Sequence, residues 1–115
     1  METARIIEPG FSMADTDYPI ICQENDDLNV KFEDWRESEI SINFLNVIAF
    51  KWQIIETLIE GEAYDQSHEI ENSEWLKEHY RQGAIEKHEM YKHFKLNFNA
   101  CGQLEVLASG YEVKT

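Results

Sequence analysis

Residues 38–54, SEISINFLNVIAFKWQI, decide how this chain is read. The even positions Ile40, Ile42, Phe44, Ile48, Phe50, Trp52 and Ile54 are apolar, and only Asn46 interrupts the series. A period of two belongs to a strand, because successive side chains on a pleated backbone point to opposite faces. Leu45, Val47 and Ala49 place further apolar groups on the other face, so the middle of the run is covered on both sides. The pattern predicts one long central strand. Burial alone fixes its register, since a slip of one residue would turn its large side chains out to water.

Working outward, Leu28, Val30 and Phe32 alternate with Asn29, Lys31 and Glu33, and residues 34–37 are short enough to join this strand to the central one as a hairpin. Residues 20–23 form a short strand after Pro19, ending in the acidic turn Glu24-Asn25-Asp26-Asp27. Residues 1–18 carry the turn signal Pro9-Gly10 and read as a loosely held N-terminal arm.

On the C-terminal side, Ile54, Ile55, Leu58 and Ile59 fit helix and strand spacing about equally, and residues 67–70 suggest a short strand. Asn72-Ser73 offers an N-cap, with Glu74 where a carboxylate meets the positive end of the helix dipole. A helix over residues 74–82 follows, with Trp75, Leu76, His79 and Tyr80 on one face and Gly83 as its stop. Met90, Phe94, Leu96 and Phe98, then Leu104, Val106 and Ala108, describe a closing hairpin around residues 99–102, with Tyr111 and Val113 in a short tail. The expected fold is a single α+β domain over residues 1–115, an antiparallel sheet of about five or six strands with one principal helix packed on one face.

Charge narrows the partners. Asp and Glu number 23 against 10 Lys and Arg, a formal charge of -13. Phosphate backbones and anionic headgroups require positive charge at the contact, so neither nucleic acid nor a membrane surface is an expected partner. A basic protein surface is the natural complement, although acidity also serves solubility alone. Cys22 and Cys101 lack the spacing of a redox or metal motif and read as free thiols. Without a signal-peptide pattern or a membrane-spanning run, the expected location is cytoplasmic.

No motif names a reaction. In HEMYKH, residues 88–93, the two histidines lie five apart, whereas a helical zinc pair needs four, and on a strand His88 and His93 would face opposite sides. Metal and cofactor are therefore not expected. Ser12, Ser38, Ser73 and Cys101 lack a nucleophile turn, and the glycines at 10, 61, 83, 102 and 110 are too scattered for a phosphate cradle. Carboxylate pairs such as Glu33-Asp34 are commonplace in so acidic a chain and read as solvated surface. The chain is expected to be non-catalytic.

Binding candidates are clearer. Between residues 56 and 74 lie seven acidic residues and no Lys or Arg. Glu56, Glu60, Glu62, Asp65, Glu69 and Glu71, with Tyr64 among them, are the expected contacts for a basic partner. Trp35 in the FEDWRES turn either caps the core or is an aromatic anchor of the kind that dominates interfaces. The rival is an enzyme or small-ligand binder with a pocket between helix and sheet, walled by Trp75, His79 and Tyr80. Homo-oligomerisation by edge-strand pairing is a third expectation.

The run VKFEDWRESEISINFLNVIAFKW, then SHEIENSEWLKEH, then HFKLNFNACGQLEVLASGYEV resembles small bacterial domains of the polymorphic-toxin immunity type. The shared features are the F-x-D-W turn, the I-x-x-S-x-W-L passage at Ile70 to Leu76, and the Gly-x-Leu-Glu-Val hairpin at Gly102 to Val106. They span roughly residues 28–113 and occupy structural positions. The resemblance implies a cytosolic protein that binds and blocks a cognate toxin through an acidic surface, and it assigns no binding residue.

Overall fold

The computed structural model describes residues 1–14, 16, 18–54, 58–83, 85–86, 89–98 and 101–114. Its elements run β1 (Thr3–Ile7), β2 (Ile20–Glu24), β3 (Asp27–Glu33), β4 (Glu39–Leu45), β5 (Ala49–Gln53), β6 (Ser67–Glu71), α1 (Glu74–Arg81), β7 (Lys92–Phe98), β8 (Gly102–Ala108) and β9 (Gly110–Lys114). The strands form two antiparallel sheets, β1-β6-β7-β8-β5 and β2-β3-β4-β9. This overturns the expected α+β arrangement of one sheet under a principal helix. The chain is mostly β, and α1 is short with no buried residue.

The error in the expectation lies at Asn46. Its backbone has φ of 52°, in the left-handed region that Asn tolerates better than most side chains. Asp27 Oδ1 accepts Asn46 N–H at 3.1 Å, and Asn46 Nδ2 donates to Ser109 Oγ at 3.1 Å. The backbone therefore bends there, and the expected single strand becomes β4 in one sheet and β5 in the other. Alternation persists across the break because the two sheets face one interior. Ile40, Ile42 and Phe44 enter it from β4, and Trp52 enters it from β5.

Phe32 and Phe98 meet edge to face at 5.1 Å between centroids, and Phe44 lies 5.6 Å from Phe94. Leu28, Val30, Leu96, Leu104 and Val106 fill the rest of this layer. Fully burying such a side chain contributes about 1.5–3 kcal/mol. The expected β3–β4 hairpin is present, with Phe32 opposite Ile40. β7 and β8 pair in the closing hairpin, with Asn99 and Ala100 of its expected turn outside the described residues.

Both ends of the chain join the sheets. Residues expected in a loose arm supply β1, which pairs with β6, and Met13, which is buried in the core. Residues expected in a tail form β9, which pairs with β4. Ser73 caps α1 as the sequence suggests, its hydroxyl accepting the Leu76 N–H at 3.0 Å. Among the described residues no helix is long and apolar enough to cross a membrane.

Candidate functional site

Asp34 builds the turn between β3 and β4 from the inside. Its side chain is fully buried, with Oδ1 accepting the N–H groups of Arg36 at 2.9 Å and Ser38 at 3.0 Å. Oδ2 accepts Arg36 Nη2 at 3.1 Å. Burial works against the charge on this carboxylate, but those bonds and the guanidinium overcome it and hold its pKa below the ordinary range. With the carboxylate fixed underneath, Trp35 is turned outward and is 59% exposed, the Arg36 guanidinium lying 5.6 Å from its ring. Trp35 therefore does not cap the core.

Trp35 borders a groove of about 580 Å³ at one end of the two-sheet body. Pro9, Phe11 and Met13 supply apolar wall, Arg36 lies beside the Trp, and Asp65 and Gln66 close the far side. Ser67, also in the wall, has its Oγ buried without a hydrogen-bond partner among the described residues. Leu96 stands opposite Ser67 in the ladder, so this hydroxyl is turned toward the apolar interior. Tyr64 is 63% exposed and precedes Asp65 in sequence.

Below the segment 58–66 the outward face of the five-stranded sheet carries buried polar groups instead of a second apolar layer. Glu62, with its side chain fully buried, accepts Lys95 Nζ at 2.9 Å and Ile59 N–H at 3.0 Å on Oε1. Oε2 accepts Asn97 Nδ2 at 2.8 Å and Gln103 Nε2 at 3.1 Å. This is a fully coordinated carboxylate, and its role is to hold the segment down. Gly61 allows the close approach, since a Cβ there would collide with the Ala4 carbonyl.

Further along the same face, Ser73 Oγ lies 2.6 Å from His93 Nδ1, and His93 Nε2 lies 2.8 Å from Glu105 Oε1. The residue types are those of a hydrolytic relay. The Glu105 carboxylate can only accept, so Nε2 carries the ring hydrogen and donates to it, and in the neutral ring Nδ1 then accepts the Ser73 hydroxyl, whose oxygen also accepts the Leu76 N–H. Burial opposes the charge on Glu105, yet the His93 bond and the nearby Lys51 and Lys95 hold its pKa below the ordinary range. All three side chains are buried, and Trp75 stands over His93 with centroids 5.3 Å apart. The buried arrangement fastens α1 to the sheet. The side chains expected to wall a pocket, Trp75, His79 and Tyr80, make local contacts. His79 Nδ1 bonds the Trp75 carbonyl at 2.9 Å, and Tyr80 donates its hydroxyl to the Glu89 carbonyl at 2.7 Å.

The acidic contacts expected from sequence are scattered by the fold. Glu62 points into the protein. Glu69 and Glu71 on β6 pair with Arg5 at 2.9 and 3.3 Å, and Glu69 also lies 3.8 Å from Lys92. Glu60 is exposed, with its carbonyl accepting the Ala4 N–H at 2.7 Å. Asp65 joins Trp35 at the groove. Glu56 and His88 lie outside the described residues. Sequence reasoning missed Ser67, Phe11 and Pro9, which come to Trp35 only through the β1–β6 pairing. No local signal marks them.

No family model, curated protein or solved structure matches this chain.

Proposed function

We propose that the chain is a non-catalytic protein-binding module that engages a basic protein, such as a toxin it neutralises, at the Trp35 groove. The observation that carries this reading is a large aromatic held out in water by a fully bonded turn, beside an apolar wall. Exposing a Trp has no packing advantage for the free protein, and Trp and Arg are among the residue types enriched where a few side chains dominate an interface. The net charge of -13 supports a basic target, with Asp65 and Glu8 among the groove residues. The resemblance to immunity domains agrees with a toxin as that target.

Titrating the protein with the product of the neighbouring gene, as the candidate toxin, at low and high salt tests the reading. Association at low salt that weakens as salt is added is the expected outcome. Absence of association at low salt contradicts the electrostatic part of the proposal.

A further inference from the structure

Segment 58–66 is held to the sheet by the Glu62 carboxylate, by the Glu60 carbonyl on Ala4 N–H and by the Ala63 and Gln66 carbonyls on Asn97, and beside these by one hydrogen bond that a proton would break, just ahead of the groove. Ala63 N–H donates to His68 Nε2 at 3.0 Å, while His68 Nδ1 lies 3.3 Å from the Lys95 carbonyl. Both contacts are satisfied when Nδ1 carries the hydrogen and donates to Lys95, leaving the Nε2 lone pair for Ala63. A second proton on the ring must sit on Nε2, facing the Ala63 N–H. His68 is 0% exposed, so the imidazolium cannot reach water unless the segment moves away.

We propose that His68 is an acid-triggered latch whose protonation loosens segment 58–66 from the sheet and removes the groove wall formed by Asp65 and Gln66. The coupling is through the chain itself, because the latch acts at Ala63 and the wall begins at Asp65. The consequence for binding rests on the groove being the contact face, whereas the latch does not.

The groups facing His68 fix the direction of the effect. β7 contributes Lys95, whose positive charge opposes a second one, and the segment contributes the Glu62 carboxylate, which favours it. β1 places Ala4 and Ile6 on this side, both apolar, and β8 lies one strand further off with Gln103 and Glu105. Burial is the largest influence and lowers the imidazole pKa, the Lys95 carbonyl bond and Glu62 only partly offsetting it. Once the segment lifts, His68 regains its ordinary value, so the open form binds the proton more tightly. Opening is therefore suppressed above that ordinary value and grows as the pH falls below it, by at most about tenfold per pH unit until the closed-form pKa is reached.

Amide hydrogen exchange of the free protein, followed by NMR between about pH 7.5 and 5 with the His68 ring titrated in the same samples, tests the latch. Ile59, Glu62 and Ala63 report on the segment, and the β7 and β8 amides serve as reference. The His68→Gln variant separates this trigger from Glu62, since a Gln oxygen accepts the Ala63 N–H and has no proton to gain. Opening of the segment should rise by up to about tenfold per pH unit below the ordinary imidazole value and level off where the closed His68 ring titrates, while the reference stays protected, and His68→Gln should flatten that rise to less than about twofold. Opening that stays constant across the range overturns the proposal. So does an equal rise in His68→Gln, which would make Glu62 the trigger. If the variant loses its β7 and β8 protection, agreement or disagreement of the two wild-type titrations decides alone. A groove that fails to bind any basic protein would leave these exchange results unchanged, so the two ideas fail separately.

Discussion

Glu62 and Lys95 are the residues on which the polar face depends, and removing one partner should be far worse than removing both. Their carboxylate and ammonium are 2.9 Å apart with side chains 0% and 6% exposed. Glu62→Ala removes the carboxylate that holds the buried Lys95 ammonium at 2.9 Å and should destabilise the fold by about 3–5 kcal/mol in denaturant unfolding. Adding Lys95→Met should recover much of that loss. A double variant no more stable than Glu62→Ala would contradict the account. Sequence could not reveal this pair, since Glu62 stands in an acidic run that reads as solvated surface, and only the fold brings Lys95 beneath it. Trp35 was legible as a notable residue because of its size, and the fold decided that it faces water.

At the scale of the element, alternation located most strands correctly, and the capping signal Ser73 with Glu74 located the helix. Alternation could not say which sheet a strand joins. Ile40, Ile42, Phe44 and Trp52 share one parity because opposed sheets line the same interior, so the pattern passes through the break unmarked. Asn46 was its only sign. Its left-handed backbone yields a direct prediction: Asn46→Val should cost about 1–3 kcal/mol in thermal or denaturant unfolding, because a β-branched residue is strained there. Asn46→Gly keeps the conformation and should cost less. Equal costs would mean that the bend is held by something other than backbone conformation. The pairing of β1 with β6 and of β9 with β4 was not legible for a related reason, as each joins residues more than half the chain apart.

For the whole molecule, the two sheets enclose a single apolar layer and leave two different outer surfaces. One is screened by segment 58–66 and α1 over buried polar groups, and the other, carrying Lys31, Glu33, Glu39 and Ser41, lies open beside β2 and β9. Acidity spread over such a body attracts a basic partner from any side but does not choose the contact. The choice falls to shape and to the exposed Trp35 at the groove. Trp35→Ala, compared with the wild type for both thermal stability and affinity toward the basic partner, measures this most directly. Affinity should fall at least about tenfold while stability stays within about 0.5 kcal/mol, as befits an exposed interface anchor. Unchanged affinity would place the contact elsewhere on the molecule.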